Sequence, residues 1–160
     1  MTATDTTKNA YDLISPELRD DLITMVREDS WPEMTDDQGE RGIRQVTAFL
    51  TVAASSTEKV TPSLRVDLFW HAFVLHTRHY AEFCEALGNG YIHHVPDREN
   101  GRDPAAGRAA SRRTAELMRG AGFAVDPEFW PTDGAADCTQ SYAGCSDSPI
   151  ATSLRHKPSN

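Results

Sequence analysis

The sequence is poor in cysteine and has no long apolar run. Its three cysteines, Cys84, Cys138 and Cys145, are an odd number and form no Cys-x-x-Cys pair, so the pattern predicts neither a disulfide framework nor a zinc knuckle. No apolar segment approaches the roughly 20 residues that a membrane-spanning helix needs. The first fifteen residues also lack the basic and apolar regions of a signal peptide. We therefore expect a cytoplasmic protein.

The motifs of several large enzyme classes are also missing. The chain has no glycine-rich phosphate loop, no G-x-S-x-G elbow and no H-E-x-x-H, so nucleotide, serine-hydrolase and zincin chemistry are not predicted. Acidic residues outnumber basic ones by 24 to 16, which gives a formal charge of −8. Because polyanions repel such a chain, we expect no nucleic-acid and no membrane partner. The sequence does not identify a small-molecule or protein partner.

Apolar residues recur at helical spacing through most of the chain, between residues that start and stop helices. Ser15-Pro16 begins the first such segment, and a capping box from Thr35 to Gln38 begins the second. The pattern predicts an all-α fold, an irregular bundle of about four helices at 16–29, 36–56, 63–88 and 103–120, with the long third helix at its centre. The expected domain order is a flexible leader (1–12), a single helical domain (13–131) and a cysteine-containing tail (132–160) that can fold back on the domain.

Histidine is plentiful by contrast, and five of the six histidines lie between positions 71 and 94. Asp67 and His71 are four residues apart, which places them on one stripe of the predicted central helix. A carboxylate in this position can orient an imidazole that binds a metal or acts as a general base. A plain hydrogen bond on the helix surface explains the same spacing.

Three residues near this pair are predicted to stay out of the site. His76 lies among aromatic residues on the apolar face and is expected in the core, whereas His79 follows Arg78 on the solvent side. Cys84 is thirteen residues from His71, or roughly 20 Å along a straight helix, so one metal ion cannot bind both. It is expected to pack beside Tyr80 as a small apolar side chain.

The remaining candidates lie in a loop and in the tail. His93 and His94 are adjacent in a segment that reads as extended, so at most one of them can face His71. Cys138 and Cys145 can join a histidine site as thiolate ligands. A disordered tail and an oxidised cysteine pair are the alternatives.

The residues of this region resemble those of the glycine-rich domain-containing protein-like family, most closely its small actinobacterial members. The resemblance rests on Val66–Thr77 (VDLFWHAFVLHT), Tyr80, Cys84, Gly90 and Ile92–Pro96 (IHHVP), and it covers roughly residues 40–150. It implies that Asp67, His71 and His94, which carry the shared D-x-x-W-H and H-x-P pattern, are functional residues. The tail of such members reads Cys-x-x-Cys-His-x-Gly-Cys. Ser141 and Tyr142 stand at two of these positions here, which removes two potential ligands.

Two functions are consistent with these residues. The first is a metal-binding helical protein, whose candidate metal residues are Asp67, His71, His93, His94, Cys138 and Cys145. Imidazole and thiolate ligands suit Zn²⁺ first, then Fe or Cu. An open coordination position would make the protein a metal-dependent enzyme, such as one of a specialised biosynthetic pathway.

The second is a metal-free interaction or scaffold module, in which Asp67 and His71 form a structural network that locks the helix to the His93-His94 loop. A metal-free enzyme that uses the pair as an oriented base ranks last, because no nucleophile or substrate pocket is identifiable.

Overall fold

The computed structural model describes residues 10–88, 90–95 and 103–131, and this part of the chain contains helices and no strands. A helical turn at 10–12 precedes five helices. They are α1 (Pro16–Asp29), α2 (Asp36–Ser55), α3 (Leu64–Leu75), α4 (Thr77–Leu87) and α5 (Pro104–Gly120). α1, α2 and α3 pack on one another, α4 packs on α2 and α3, and α5 packs on α2. The predicted all-α bundle is confirmed. None of the described helices is long and apolar enough to cross a membrane.

Side-chain caps fix where the helices begin. The Ser15 hydroxyl accepts from the backbone N–H of Leu18, and Thr35 and Gln38 form the predicted capping box. Asp103 accepts from the N–H of Ala105 at the start of α5. Each cap satisfies an N–H that the first helical turn leaves unpaired. The first residues of these three helices therefore lie within one residue of the predicted starts.

The central helix, by contrast, is broken at His76, so the prediction of one helix over 63–88 is wrong. His76 adopts φ −85° and ψ 64°, and its backbone N–H bonds to Phe73 rather than to Ala72. The imidazole Nδ1 of His76 forms a hydrogen bond with the Ala72 carbonyl instead, at 2.8 Å. A side chain that occupies the i−4 carbonyl competes with the helix and bends it. His76 is therefore a half-buried residue of the junction and not the core residue that its spacing predicts.

α2 and α3 approach each other closely at a glycine. A Cβ atom on Gly42 would come within 2.2 Å of the Phe69 ring, which is shorter than any van der Waals contact. Around this contact the interior is filled by apolar side chains that are completely buried, among them Ile43, Val46 and Phe49. The first turns of α3 are therefore held rigidly against α2.

The described chain begins and ends in contact with this core. Ala10 is 1 % exposed, and the Tyr11 hydroxyl donates to Glu40 at 2.6 Å, so residues 10 and 11, which the prediction places in the leader, already pack on the helices. At the other end of the described chain Phe129 and Trp130 are buried.

Polar side chains hold the segment 123–131 onto the helices. Arg41 donates to Asp126 and Glu128, both at 2.8 Å, and Arg65 donates to Glu128 at 3.2 Å. The Trp130 indole N–H donates to the Gln45 side chain at 3.0 Å. We call Arg41, Arg65, Asp126 and Glu128 the arginine network.

Candidate functional site

The candidate site lies where α3 meets the extended segment 90–95. Asp67, in the first turn of α3, is 3 % exposed, and its Oδ1 accepts a hydrogen bond from His94 Nε2 at 2.7 Å. A buried carboxylate is costly unless it is paired. The bond supplies that partner and ties the segment 90–95 to α3.

Aromatic side chains position the same segment. The Trp70 ring lies against His94, with ring centroids 4.2 Å apart, and its indole N–H donates to the Tyr80 hydroxyl at 2.9 Å. The Tyr80 hydroxyl donates in turn to the backbone carbonyl of Ile92. Burial raises the pKa of Tyr80, so the hydroxyl keeps the proton that it donates. This chain of bonds fixes Ile92, and His94, two residues further along an extended segment, faces the same side.

Sequence reasoning missed this aromatic support. Trp70 and Tyr80 are ten residues apart, which on a straight helix separates them by roughly 15 Å. The break at His76 turns α4 back on α3 and brings the two side chains into contact. The signal for that break is one histidine whose ring bonds to its own helix, and apolar periodicity does not reveal it.

His71 lies one helical turn after Asp67 and is half-buried. Its ring centroid is 6.1 Å from that of His94. Its Nε2 atom is buried and has no hydrogen-bond partner among the described residues. The predicted pairing of Asp67 with His71 is therefore wrong in its partner, because the hydrogen bond of Asp67 goes to His94.

The electrostatics of the site favour a neutral His71. Burial is the main cause that lowers the pKa of His71, and the neighbouring His94 adds to it, against the opposing attraction of Asp67 and Asp29. Burial also raises the pKa of Asp67, although the hydrogen bond from His94 partly offsets this. A neutral imidazole has a lone pair on one nitrogen, which is the form that binds metals and accepts protons.

The other predicted site residues do not join this cluster within the described chain. His93 is exposed and lies against Tyr91, with ring centroids 4.8 Å apart. His79 is exposed and Cys84 is buried, both as predicted. Cys138 and Cys145 lie outside the described residues. Within residues 10–88, 90–95 and 103–131, no three His, Cys, Asp or Glu side chains are grouped closely enough to hold a metal ion.

These observations define a small helical protein with a buried aspartate–histidine pair beside a histidine whose Nε2 has no hydrogen-bond partner among the described residues. A family model described as UCP032817-like matches residues 12–117, roughly two thirds of the chain, and the chain belongs to this uncharacterised family. The resemblance to the glycine-rich domain-containing protein-like family is therefore wrong, because a short motif around 66–96 is outweighed by a match over most of the helical domain. The matched range contains Asp67, His71 and His94 and ends before the tail cysteines. No curated protein and no solved structure matches the chain.

Proposed function

We propose that the protein binds a transition-metal ion through His71 Nε2 and His94 Nδ1, with Zn²⁺ preferred over Fe or Cu. The observation that carries this proposal is the buried Nε2 of His71, which has no hydrogen-bond partner among the described residues and lies beside a second imidazole. Buried polar atoms in proteins are nearly always paired. A metal ion is the partner that two adjacent imidazoles fit best.

The two rings lie slightly farther apart than one four-coordinate ion would hold them. With Zn–N bonds of about 2.0–2.1 Å at roughly the tetrahedral angle, two imidazoles on one ion have ring centroids about 5.2 Å apart. The observed separation is 6.1 Å, with the ring planes at 76°. A shift of the His71 ring by about 1 Å would bring both nitrogens to the distances that one ion requires.

Asp67 has the role of an orienting residue in this proposal. By accepting from His94 Nε2, the carboxylate leaves Nδ1 as the nitrogen of His94 that would bind the ion. A carboxylate behind a histidine is a common arrangement at metal sites, where it fixes the tautomer and raises the basicity of the ligand. Trp70 covers the other face of His94 and restricts its rotation.

Two imidazoles leave two positions open on a four-coordinate ion. We assign the tail thiols of Cys138 and Cys145 to these positions as part of the proposal. Cys138 is eight residues after the buried Trp130, and an extended chain reaches roughly 3.3–3.6 Å per residue. From Trp130 a row of aromatic rings leads through Phe49 and Trp70 to His94, with successive centroids 6.3, 5.1 and 4.2 Å apart. The tail is thus long enough to reach His71. With water at one of these positions instead, the ion would activate it, and the protein would be an enzyme.

The second candidate function is the metal-free scaffold module. It is favoured by the direct bond between Asp67 and His94, which already holds the segment 90–95 without a metal ion. In that case the site is a structural lock, and the exposed side of the segment, with Tyr91 and Val95, would meet a partner protein.

Metal analysis distinguishes the two functions. The full chain, made without a histidine tag, is reconstituted separately with Zn²⁺, Fe²⁺ and Cu²⁺, desalted, and measured by mass spectrometry of the bound element. We expect about one ion per chain, highest for zinc. His71→Gln and His94→Gln should each lose the ion. A stoichiometry near zero with all three metals would contradict the proposal and favour the scaffold.

Matched variants separate ligand loss from unfolding. His93→Gln and His79→Gln change exposed histidines outside the cluster and should keep the ion, and circular dichroism checks that every variant stays helical. The double variant Cys138→Ser/Cys145→Ser tests the tail. If it binds zinc as tightly as the wild type, the thiols are not ligands and only the histidine part of the proposal stands.

A further inference from the structure

The Tyr80 hydroxyl connects the candidate site to α4. Tyr80 is completely buried; its hydroxyl accepts from the Trp70 indole N–H at 2.9 Å and donates to the Ile92 carbonyl. Its ring packs edge-on against that of Tyr91, with centroids 5.1 Å apart. One side chain of α4 therefore holds both α3, through Trp70, and the segment 90–95, through Ile92.

Two anchors together determine where His94 lies. The bond from His94 Nε2 to Asp67, at 2.7 Å, fixes one atom of the imidazole ring, but it does not hold the main chain of the segment. Ile92 is two residues before His94, or roughly 7 Å along an extended chain. Because the bond to Tyr80 holds the Ile92 carbonyl, it fixes the main chain from which the His94 side chain starts, and so the position of Nδ1.

The chain path strengthens the connection between α4 and His94. α4 ends at Leu87, and Gly88 and Gly90 adopt left-handed φ values of 90° and 79° as the chain turns into the segment 90–95. The segment is thus joined to α4 covalently at its start and through the Tyr80 hydroxyl at Ile92. A displacement of α4 would move His94 relative to His71, which belongs to α3.

We infer that Tyr80 is a positioning residue of the proposed metal site, and that the ion and α4 stabilise each other through its hydroxyl. The inference rests on the proposed function, because it concerns the affinity for the same ion. Since the ion binds more tightly when α4 is docked, it also holds α4 in the docked position. α5 packs on α2 and takes part in none of these bonds, so the ion should leave it unchanged.

Zinc affinity of the full chain, measured by competition with a chromogenic chelator, tests the positioning role. Tyr80→Phe should raise the Kd for Zn²⁺ by about tenfold or more, because removing the support of a metal ligand costs about 10–100-fold in affinity. Thr114→Val is the matched control. It also removes a buried hydroxyl that accepts one hydrogen bond, from Thr61, and donates another, to Ala110, but it does so in α5. It should bind zinc as tightly as the wild type.

Hydrogen exchange with and without Zn²⁺ gives a readout that a purely stabilising role of Tyr80 would not change. In the wild type, zinc should slow amide exchange in α3, in α4 and in the segment 90–95, and leave α5 unchanged. In Tyr80→Phe at saturating zinc, the slowing should persist in α3 and be lost in α4, because the bond that couples α4 to the site is gone.

The outcomes separate this inference from the proposed function. A wild type that binds no zinc would overturn both. A wild type that binds zinc, with Tyr80→Phe binding as tightly, would overturn this inference alone. So would an equal loss of affinity in Thr114→Val, or slowed exchange of α4 that persists in Tyr80→Phe. The wild-type measurement needs no variant: zinc that slows exchange in α3 but not in α4 would also contradict the inference.

Discussion

Two non-helical segments are held on the helical body in different ways. The segment 90–95 is tied to α3 by one buried pair, Asp67 with His94, whose side chains are 4 % and 12 % exposed. The segment 123–131 is tied to α2 and α3 by the arginine network, in which Arg41 and Glu128 are each 33 % exposed. The attachment of segment 90–95 has few hydrogen bonds, and they are shielded from solvent. The attachment of segment 123–131 has more hydrogen bonds and ion pairs, and they are partly exposed to solvent.

The difference indicates that burial, rather than the number of bonds, decides what each attachment contributes. Exposed ion pairs contribute about 0–1 kcal/mol each, because water and salt screen them and the side chains lose freedom. Breaking a buried pair costs more, since the partner left behind is desolvated and unpaired. We therefore expect the single pair at Asp67 to be worth more than any one residue of the arginine network.

The largest effect should come from Asp67→Ala. The change leaves His94 without its partner and should lower the free energy of unfolding by about 3 kcal/mol. Urea denaturation in the presence of a chelator measures this without any contribution from bound metal. In the same buffer, Asp67→Leu/His94→Leu should be less destabilised than Asp67→Ala, because no unpaired polar group stays buried. Equal losses in the two variants would show that packing, and not pairing, sets the cost.

Trp70→Phe should have a smaller effect, about 1.5 kcal/mol, because it removes the N–H donor to Tyr80 and some apolar volume but leaves a ring in place. A double-mutant cycle with Tyr80→Phe isolates the hydrogen bond from the packing. We expect a coupling energy of about 1 kcal/mol between the two positions. A coupling near zero would mean that the bond between Trp70 and Tyr80 does not support the segment 90–95.

Arg41→Met should cost about 1 kcal/mol, although it removes bonds to Asp37, Asp126 and Glu128. The variant keeps an unbranched apolar side chain beside Phe129, so the loss is mainly electrostatic. Arg78→Met, at an exposed position of α4, is the control and should be neutral. If Arg41→Met costs as much as Asp67→Ala, the arginine network is stronger than its exposure implies, and the contrast between the two attachments fails.

The sequence predicts those features of the fold that depend on interactions between residues close together in the chain. α1, α2 and α5 were predictable because their starts depend on residues within three positions, such as Ser15 with Leu18. The break at His76 was not, because a ring that replaces one backbone bond does not alter the apolar period. For the candidate site, spacing identified Asp67 and His71, and loop position identified His93 and His94 without choosing between them. Of these residues, the structure brings Asp67, His71 and His94 together. Their pairing was not predictable, because the approach of residue 94 to residue 67 depends on the turned-back α4 and on Tyr80.

The smallest effect, and the one that depends on pH, is expected at Glu128. Partial burial raises the pKa of Glu128, but hydrogen bonds from Arg41 and Gln38 outweigh it and hold the pKa below its ordinary value of 4.5. A carboxylate with a lowered pKa stabilises the fold fully above its unfolded value, and this stabilisation is lost as the pH falls through the folded pKa. Glu128→Gln should therefore be less stable than the wild type at about pH 7, by roughly 0.5 kcal/mol, and the difference should shrink by about pH 3. Thermal unfolding at both pH values measures it, with Glu85→Gln, at an exposed position of α4, as the control. If the difference in stability stays constant over this pH range, the effect of Glu128 comes from the shape of its side chain and not from its charge. The arginine network would then stabilise the fold through packing and hydrogen-bond geometry, as the buried pair does.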